Sequence, residues 1–305
     1  MVKISHKYST VNIDSDWGST IDITLKNTDL VTAYDLVIVP GTLSGGTSPA
    51  FTDTYLNPLV SSVKIEADNE TMVSADVPQL NELRRLVRNV SSMVGSQFKI
   101  PMTALDFSKK TYIKETAFPS YAFVNNVMHV TLPPLSQVTS GSPTGTTGST
   151  LYLTERDISR SSVDFKLFKY KMLKITSSLG LTGDNDLTNY LSTDAFYQGL
   201  LHFAYTSQTA PIYSANGSNS LINYMDLIVN NNISLFEDYF NTLQSDNQSE
   251  YGRTPDTGFA LQQFMSDDNP SDLLNLSNPV LNKSINLKVN TSESGYLSTL
   301  KLVMF

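Results

Sequence analysis

Apolar and polar residues alternate with a period of two along most of the chain, the pattern of strands that bury one face. Ile21-Asp22-Ile23-Thr24-Leu25 reads as a half-buried strand, and Tyr34-Asp35-Leu36-Val37-Ile38-Val39 as a second, closed by Pro40-Gly41. Val63-Lys64-Ile65-Glu66-Ala67 alternates, turns at Asp68-Asn69 and returns through Met72-Val73. Further strands are predicted at 97–100, 112–114, 121–124, 127–132 and 151–154, then at 163–170, 197–205, 223–229, 259–264, 285–289 and 296–305. Two segments have a helical period instead. Leu80, Leu83, Leu86, Val87 and Val90 share one face, with Asp76 and Gln79 spaced as a capping box. A second helix is predicted to open at Ser234, with Glu237 three residues on and Phe236, Tyr239, Phe240 and Leu243 along its inner face. Long linkers are predicted at 41–58, 133–150, 177–193, 207–220 and 245–257.

The halves of the chain echo each other, which is the sequence's most informative feature. The run 19–25 matches 161–167 in pattern, and an aromatic-led strand follows at Tyr34 and at Tyr197. Then comes a strand, an Asn-containing turn, a short strand and an amphipathic helix, at 63–90 and again at 225–243. Each half then returns to strands and ends on a long alternating one. A unit of about 150 residues with some eight strands and one helix suits a jelly roll better than an immunoglobulin domain of about 100 residues. The expected fold is all-β: two tandem eight-stranded jelly-roll barrels, each with a short helix. Its expected divisions are an amino-terminal arm at 1–18, a first jelly roll at 19–158 and a second at 159–305.

Charge and composition narrow the function. The chain has 305 residues, no Cys, and 21 basic against 29 acidic residues, for a net charge of −8. Disulfides, thiolate metal sites and a cysteine nucleophile are excluded, and a surface that tracks nucleic-acid phosphates is disfavoured. Charged residues are 16% of the chain, well under the roughly 25% of ordinary soluble domains, and Ser, Thr and Asn fill the gap. A surface made polar by hydroxyls and amides suits dense packing against copies of itself. No leader-like apolar run follows the amino terminus, and no apolar stretch is long enough to span a bilayer.

The candidate chemical residues read as structural ones. His6, His129 and His202 are the only histidines, and the last two, in strand contexts, read as structural hydrogen-bonding residues. Ser44 misses the spacing of a nucleophile elbow. The glycine-rich 141–149 lacks the lysine of a phosphate loop and reads as a flexible loop. Asp14-Ser15-Asp16 and Asp184-Asn185-Asp186 alternate oxygen ligands as calcium loops do, but neither reaches the closing Glu, so solvated turns are favoured. The triplets at Asn69, Asn216 and Asn247 are of a kind this composition produces by chance. Arg84, Arg85 and Arg88 form a basic cluster that is either a solvated face or a bridge to acids on a neighbouring subunit. Trp17 is the only tryptophan, which speaks against a sugar platform of stacked indoles. No catalytic, cofactor or metal residue is assigned.

Two such units in tandem, in the order strand, strand, long loop, strand–turn–strand–helix, strands, resemble the double jelly-roll major capsid proteins of tailless icosahedral viruses. This is the lineage that includes adenovirus hexon and membrane-containing phages. The stretch 225–243 resembles that family's strand–turn–strand–helix unit and 296–305 its closing strand. The resemblance is to a short member of bacterial or archaeal virus type. It implies a structural protein of the virion capsid, without catalysis or cofactor, whose homotrimers form pseudo-hexameric blocks that tile an icosahedral shell. It implies neighbouring capsomers and minor capsid or vertex proteins as partners, and no direct contact with nucleic acid. Lys3, His6 and Lys7 on the arm would suit the anionic head groups of an internal membrane. The competing readings are a two-domain β-sandwich that binds glycans like an adhesin, and a glycan-active jelly-roll enzyme built on a carboxylate pair.

Overall fold

The computed structural model describes residues 3–27, 30–88, 95–107, 111–112, 116–158, 169–180, 182–264, 274–276 and 284–305. It divides into two compact units: Met1–Asn81, Val90–Asp106 and Thr111–Met172 form the first, and Glu82–Asn89, Phe107–Lys110 and Leu173–Phe305 the second. The principal elements of the first half are β1 (Lys3–Asn12), β2 (Thr20–Thr24), β3 (Leu30–Val39), β4 (Ser62–Ala67), β5 (Glu70–Asp76), α1 (Val77–Arg88), β6 (Gln97–Pro101), β7 (Asn126–Thr131) and β8 (Thr150–Ile158). Those of the second half are β9 (Tyr170–Leu179), β10 (Gly183–Leu187), β11 (Phe196–Tyr205), β12 (Ile222–Val229), β13 (Ile233–Tyr239), α2 (Phe240–Tyr251), β14 (Phe259–Gln263), β15 (Ile285–Thr291) and β16 (Gly295–Met304).

The strand pairings of the halves are the same, element for element. The first half has the orders β1-β8-β3-β6 and β2-β7-β4-β5, and the second has β9-β16-β11-β14 and β10-β15-β12-β13. These are the two facing sheets of a jelly roll, twice. Even the accessory pairs repeat: Phe118–Pro119 adds to the start of β3 and Leu274–Asn275 to the start of β11.

Alternation sets the burial. On β12, Met225, Leu227 and Val229 point inward beside Leu287 and Val289 of β15, in a core that also takes Tyr197, Leu200 and Phe240. On β4 the inward residues are Val63, Ile65 and Ala67. Both hairpins turn on pairs of left-handed residues, Asp68-Asn69 and Asn230-Asn231, a conformation that Asn and Asp tolerate because their side chains bond locally. Both also carry one extra residue at the same place, Met72 opposite the Ile65/Glu66 step and Leu235 opposite the Leu227/Ile228 step.

The structure redraws several expectations. Residues 3–12, expected within the amino-terminal arm at 1–18, form β1 and pair along β8 from Lys3↔Ile158 to Asn12↔Thr150. Ser234 and Glu237 do not cap a helix. They lie on β13, because the Asn230-Asn231 turn folds that segment back on β12. The helix begins at Phe240 and ends at Gly252, whose left-handed backbone (φ 69°) lets its N–H close on Gln248 O. The predicted linkers 177–193 and 245–257 therefore hold β10 and most of α2. Residues 120–122 are a 3-10 turn rather than a strand. The long segments 41–58 and 133–150 zip together through short ladders, Thr42–Ser44 on Gly145–Thr147 and Ala50–Phe51 on Thr139–Ser140. The glycine-rich run is thus partly sheet, and Gly46 and Gly141 cross so closely that a Cβ on Gly46 would lie 2.0 Å from Gly141 O. The expected strand at 163–170 and the echo at 161–167 fall almost wholly outside the described residues; β10 occupies the place equivalent to β2.

Candidate assembly surface

Several polar residues singled out in the sequence are bonded into the fold. Asp14 accepts the backbone N–H of Ser149 and of Gly148, both at 2.8 Å, and the Thr146 hydroxyl at 3.0 Å. These donors hold its carboxyl well below the usual carboxylate range. A carboxylate held by these donors anchors its loop. Trp17 completes the knot, its Nε1 donating to Thr146 Oγ1 at 3.0 Å. Asp184, in the other acidic run, accepts from Asn290 Nδ2 at 2.7 Å and Tyr224 Oη at 3.2 Å, and pairs with Lys288 Nζ at 2.7 Å. These partners hold it below its ordinary value. Among the described residues no group of three or more His, Asp or Glu is placed to hold a metal ion.

His129, on β7, places Nδ1 2.6 Å from Asp22 Oδ1 of β2 and Nε2 3.0 Å from Glu66 Oε2 of β4. Lys64 at 2.5 Å, and then His129, hold Glu66 below its ordinary value. His202, on β11, is fully buried between Thr299 Oγ1 at 2.8 Å and Gln262 Oε1 at 3.2 Å. Burial pushes it down to about 4, so the ring is neutral in the folded protein. Tyr190 donates its hydroxyl to the same Thr299, and burial raises that phenol far above its ordinary value. His6 lies on β1.

Within the arginine cluster, Arg85 finds its acids inside the chain. In the second unit, Arg85 donates Nε and Nη2 to the two oxygens of Glu82 at 2.7 Å each, and Nη2 also donates to Thr254 O at 2.9 Å. The N–H of Asp256 donates to Glu82 Oε1 at 2.9 Å. Glu82 is fully buried and its pKa is raised by that burial, against the pull of Arg85. A buried ion pair with both carboxylate oxygens bonded fixes geometry more than it adds stability.

What sequence reasoning missed is an exposed edge. Large hydrophobic side chains are exposed at six described positions, Val39, Val124, Ile233, Leu235, Tyr239 and Phe305, and three of the six lie on β13. Among the described residues β13 has one sheet neighbour, β12. Beside it is a pocket of about 460 Å³ lined by Phe236, Asp238, Asp246, Glu250 and Tyr251, so that acid and apolar surface adjoin. The missed signal was the alternation from Ile233 onward, hidden because Phe236, Tyr239, Phe240 and Leu243 also fall at helical spacing across the strand–helix junction.

Two isomorphic jelly rolls in one chain define the double jelly-roll class. No family model matches the sequence, and no curated protein sequence does. Solved structures do match, over essentially the whole chain. The crystal structure of the STIV MCP, from a virus named in full as Sulfolobus Turreted Icosahedral Virus, superposes with a TM-score of 0.75 at 13% identity, covering 100% of this chain and 97% of that one. The major capsid protein P2 from bacteriophage PM2 gives 0.68 at 9% identity, covering 99% and 97%. PBCV-1 VP54 gives 0.65 at 12% identity, covering 99% and 93%. This chain therefore has the fold of those major capsid proteins.

Proposed function

We propose that this is the major capsid protein of a tailless icosahedral virus, a structural subunit of the virion shell with no catalytic role. Its working form is a homotrimer, with residues 19–158 and 159–305 as the two jelly rolls and β1 completing the first. The supporting observation is the strand-for-strand duplication, bulges included, in a chain whose whole length superposes on solved capsid proteins. Two like units per chain let three chains present six similar units, a block with near-hexagonal edges that tiles a flat facet through heterologous contacts that close at three. Neighbouring capsomers and vertex proteins are its partners in this reading, over an internal membrane where one is present.

Light scattering after size exclusion tests it. A particle of about three times 33.7 kDa that resists dilution supports the reading. A monomer at all concentrations overturns it, and a monomer that binds an array of glycans replaces it with the adhesin-like one.

A further inference from the structure

We infer that β13 is completed by β1 of a second copy of this chain, which adds as an extra strand along the open edge and builds the trimer contact. The inference rests on the trimeric reading above and names its contact.

The fold itself supplies the precedent. In the first unit the strand equivalent to β13 is β5, and its outer edge is covered within that unit: β9, whose residues Tyr170–Met172 belong to it, is the hydrogen-bonded neighbour. Glu70 at the head of β5 holds Lys169, and Lys171 at 2.6 Å. Accordingly β5 has three buried residues and none exposed, where β13 has five exposed and none buried. The strand equivalent to β9 is β1, which likewise sits at the end of its sheet with β8 as its one neighbour among the described residues. The chain thus offers one uncovered copy of each half of a pair that it elsewhere covers.

Charge follows the same duplication. β9 carries Lys171 and Lys174 with no acid, and β5 carries Glu70 and Asp76 with no base. β1 carries Lys3, His6 and Lys7 with no acid, and β13 carries Glu237 and Asp238 with no base. Like charges disfavour β1 on β1 and β13 on β13, so the heterologous pairing is selected. The apolar content agrees. Ile233, Leu235 and Tyr239 are 57%, 42% and 65% exposed, and β13 has none of the lysines or prolines that guard a sheet edge meant to stay free. Strand addition supplies main-chain hydrogen bonds for affinity and side-chain pockets for specificity.

Two variants and the native chain decide the matter. Ile233→Lys with Leu235→Lys alters exposed positions only, so its circular dichroism should match the native chain while its mass falls from trimer to monomer. Because the chain has no Cys, Thr10→Cys can be combined in turn with cysteine at 233, 235, 237 or 239. At least one combination should give covalent dimers and trimers on oxidation. A native trimer whose mass survives both lysines, or which yields no cross-link in any combination, overturns the strand addition and leaves the capsid reading intact. A native chain that is monomeric throughout overturns both.

Discussion

His202 shows how a titratable residue can belong wholly to the core. Its ring bridges β16 and β14 through Thr299 and Gln262, and burial lowers its pKa from 6.5 to about 4. Between those values the unfolded chain binds a proton that the folded one does not, so stability falls as pH drops from about 6.5 towards about 4. The expected loss from this residue is on the order of 3 kcal/mol. Urea midpoints of the native chain and of His202→Gln at pH 7 and pH 4.5 check it. The variant should lose less over that interval, and equal losses would contradict the assignment. At this scale the sequence was readable in kind: a histidine amid Leu200, Leu201 and Phe203 reads as a hydrogen-bonded structural residue. Its partners were not, because Gln262 and Thr299 are distant in the chain and meet it through sheet pairing alone. Asn247 makes the same point. Its triplet looked incidental, yet its amide donates to Leu261 O and accepts Leu261 N–H, both at 2.7 Å, tying α2 to β14.

The hairpins carry the clearest record of duplication among the elements. Asn230 and Asn231 have φ of 53° and 60°, against 47° and 69° for Asp68 and Asn69. Branched residues resist that region, at a cost of roughly 1–2 kcal/mol. Asn231→Val should therefore lower the thermal midpoint, whereas Asn231→Gly should leave it nearly unchanged, and equal effects would show that the turn does not set the register. These Asn-rich turns were visible in the sequence because turn chemistry is local. The strand after the second turn was not. Its outward positions are apolar, and residues 236–243 satisfy a helical period as well as a strand does. β10 was missed for the opposite reason, since Gly183-Asp184-Asn185-Asp186-Leu187 has no apolar alternation. Its place is fixed by pairing with β15 and by Asp184 on Lys288.

At the scale of the whole molecule, two copies of one topology stand in a chain whose charged content is only 16%. Among the described residues the second copy leaves its acidic, apolar edge without a neighbour, and the first leaves its basic strand at the end of a sheet. On the proposed reading, the sheets are completed by copies of the chain. Electron microscopy of the purified native particle tests that claim most directly. The predicted image, viewed down the particle axis, is six lobes in a near-hexagonal outline with true threefold symmetry, built from three chains. A single two-lobed particle, or a ring closed by any other number of chains, would contradict it.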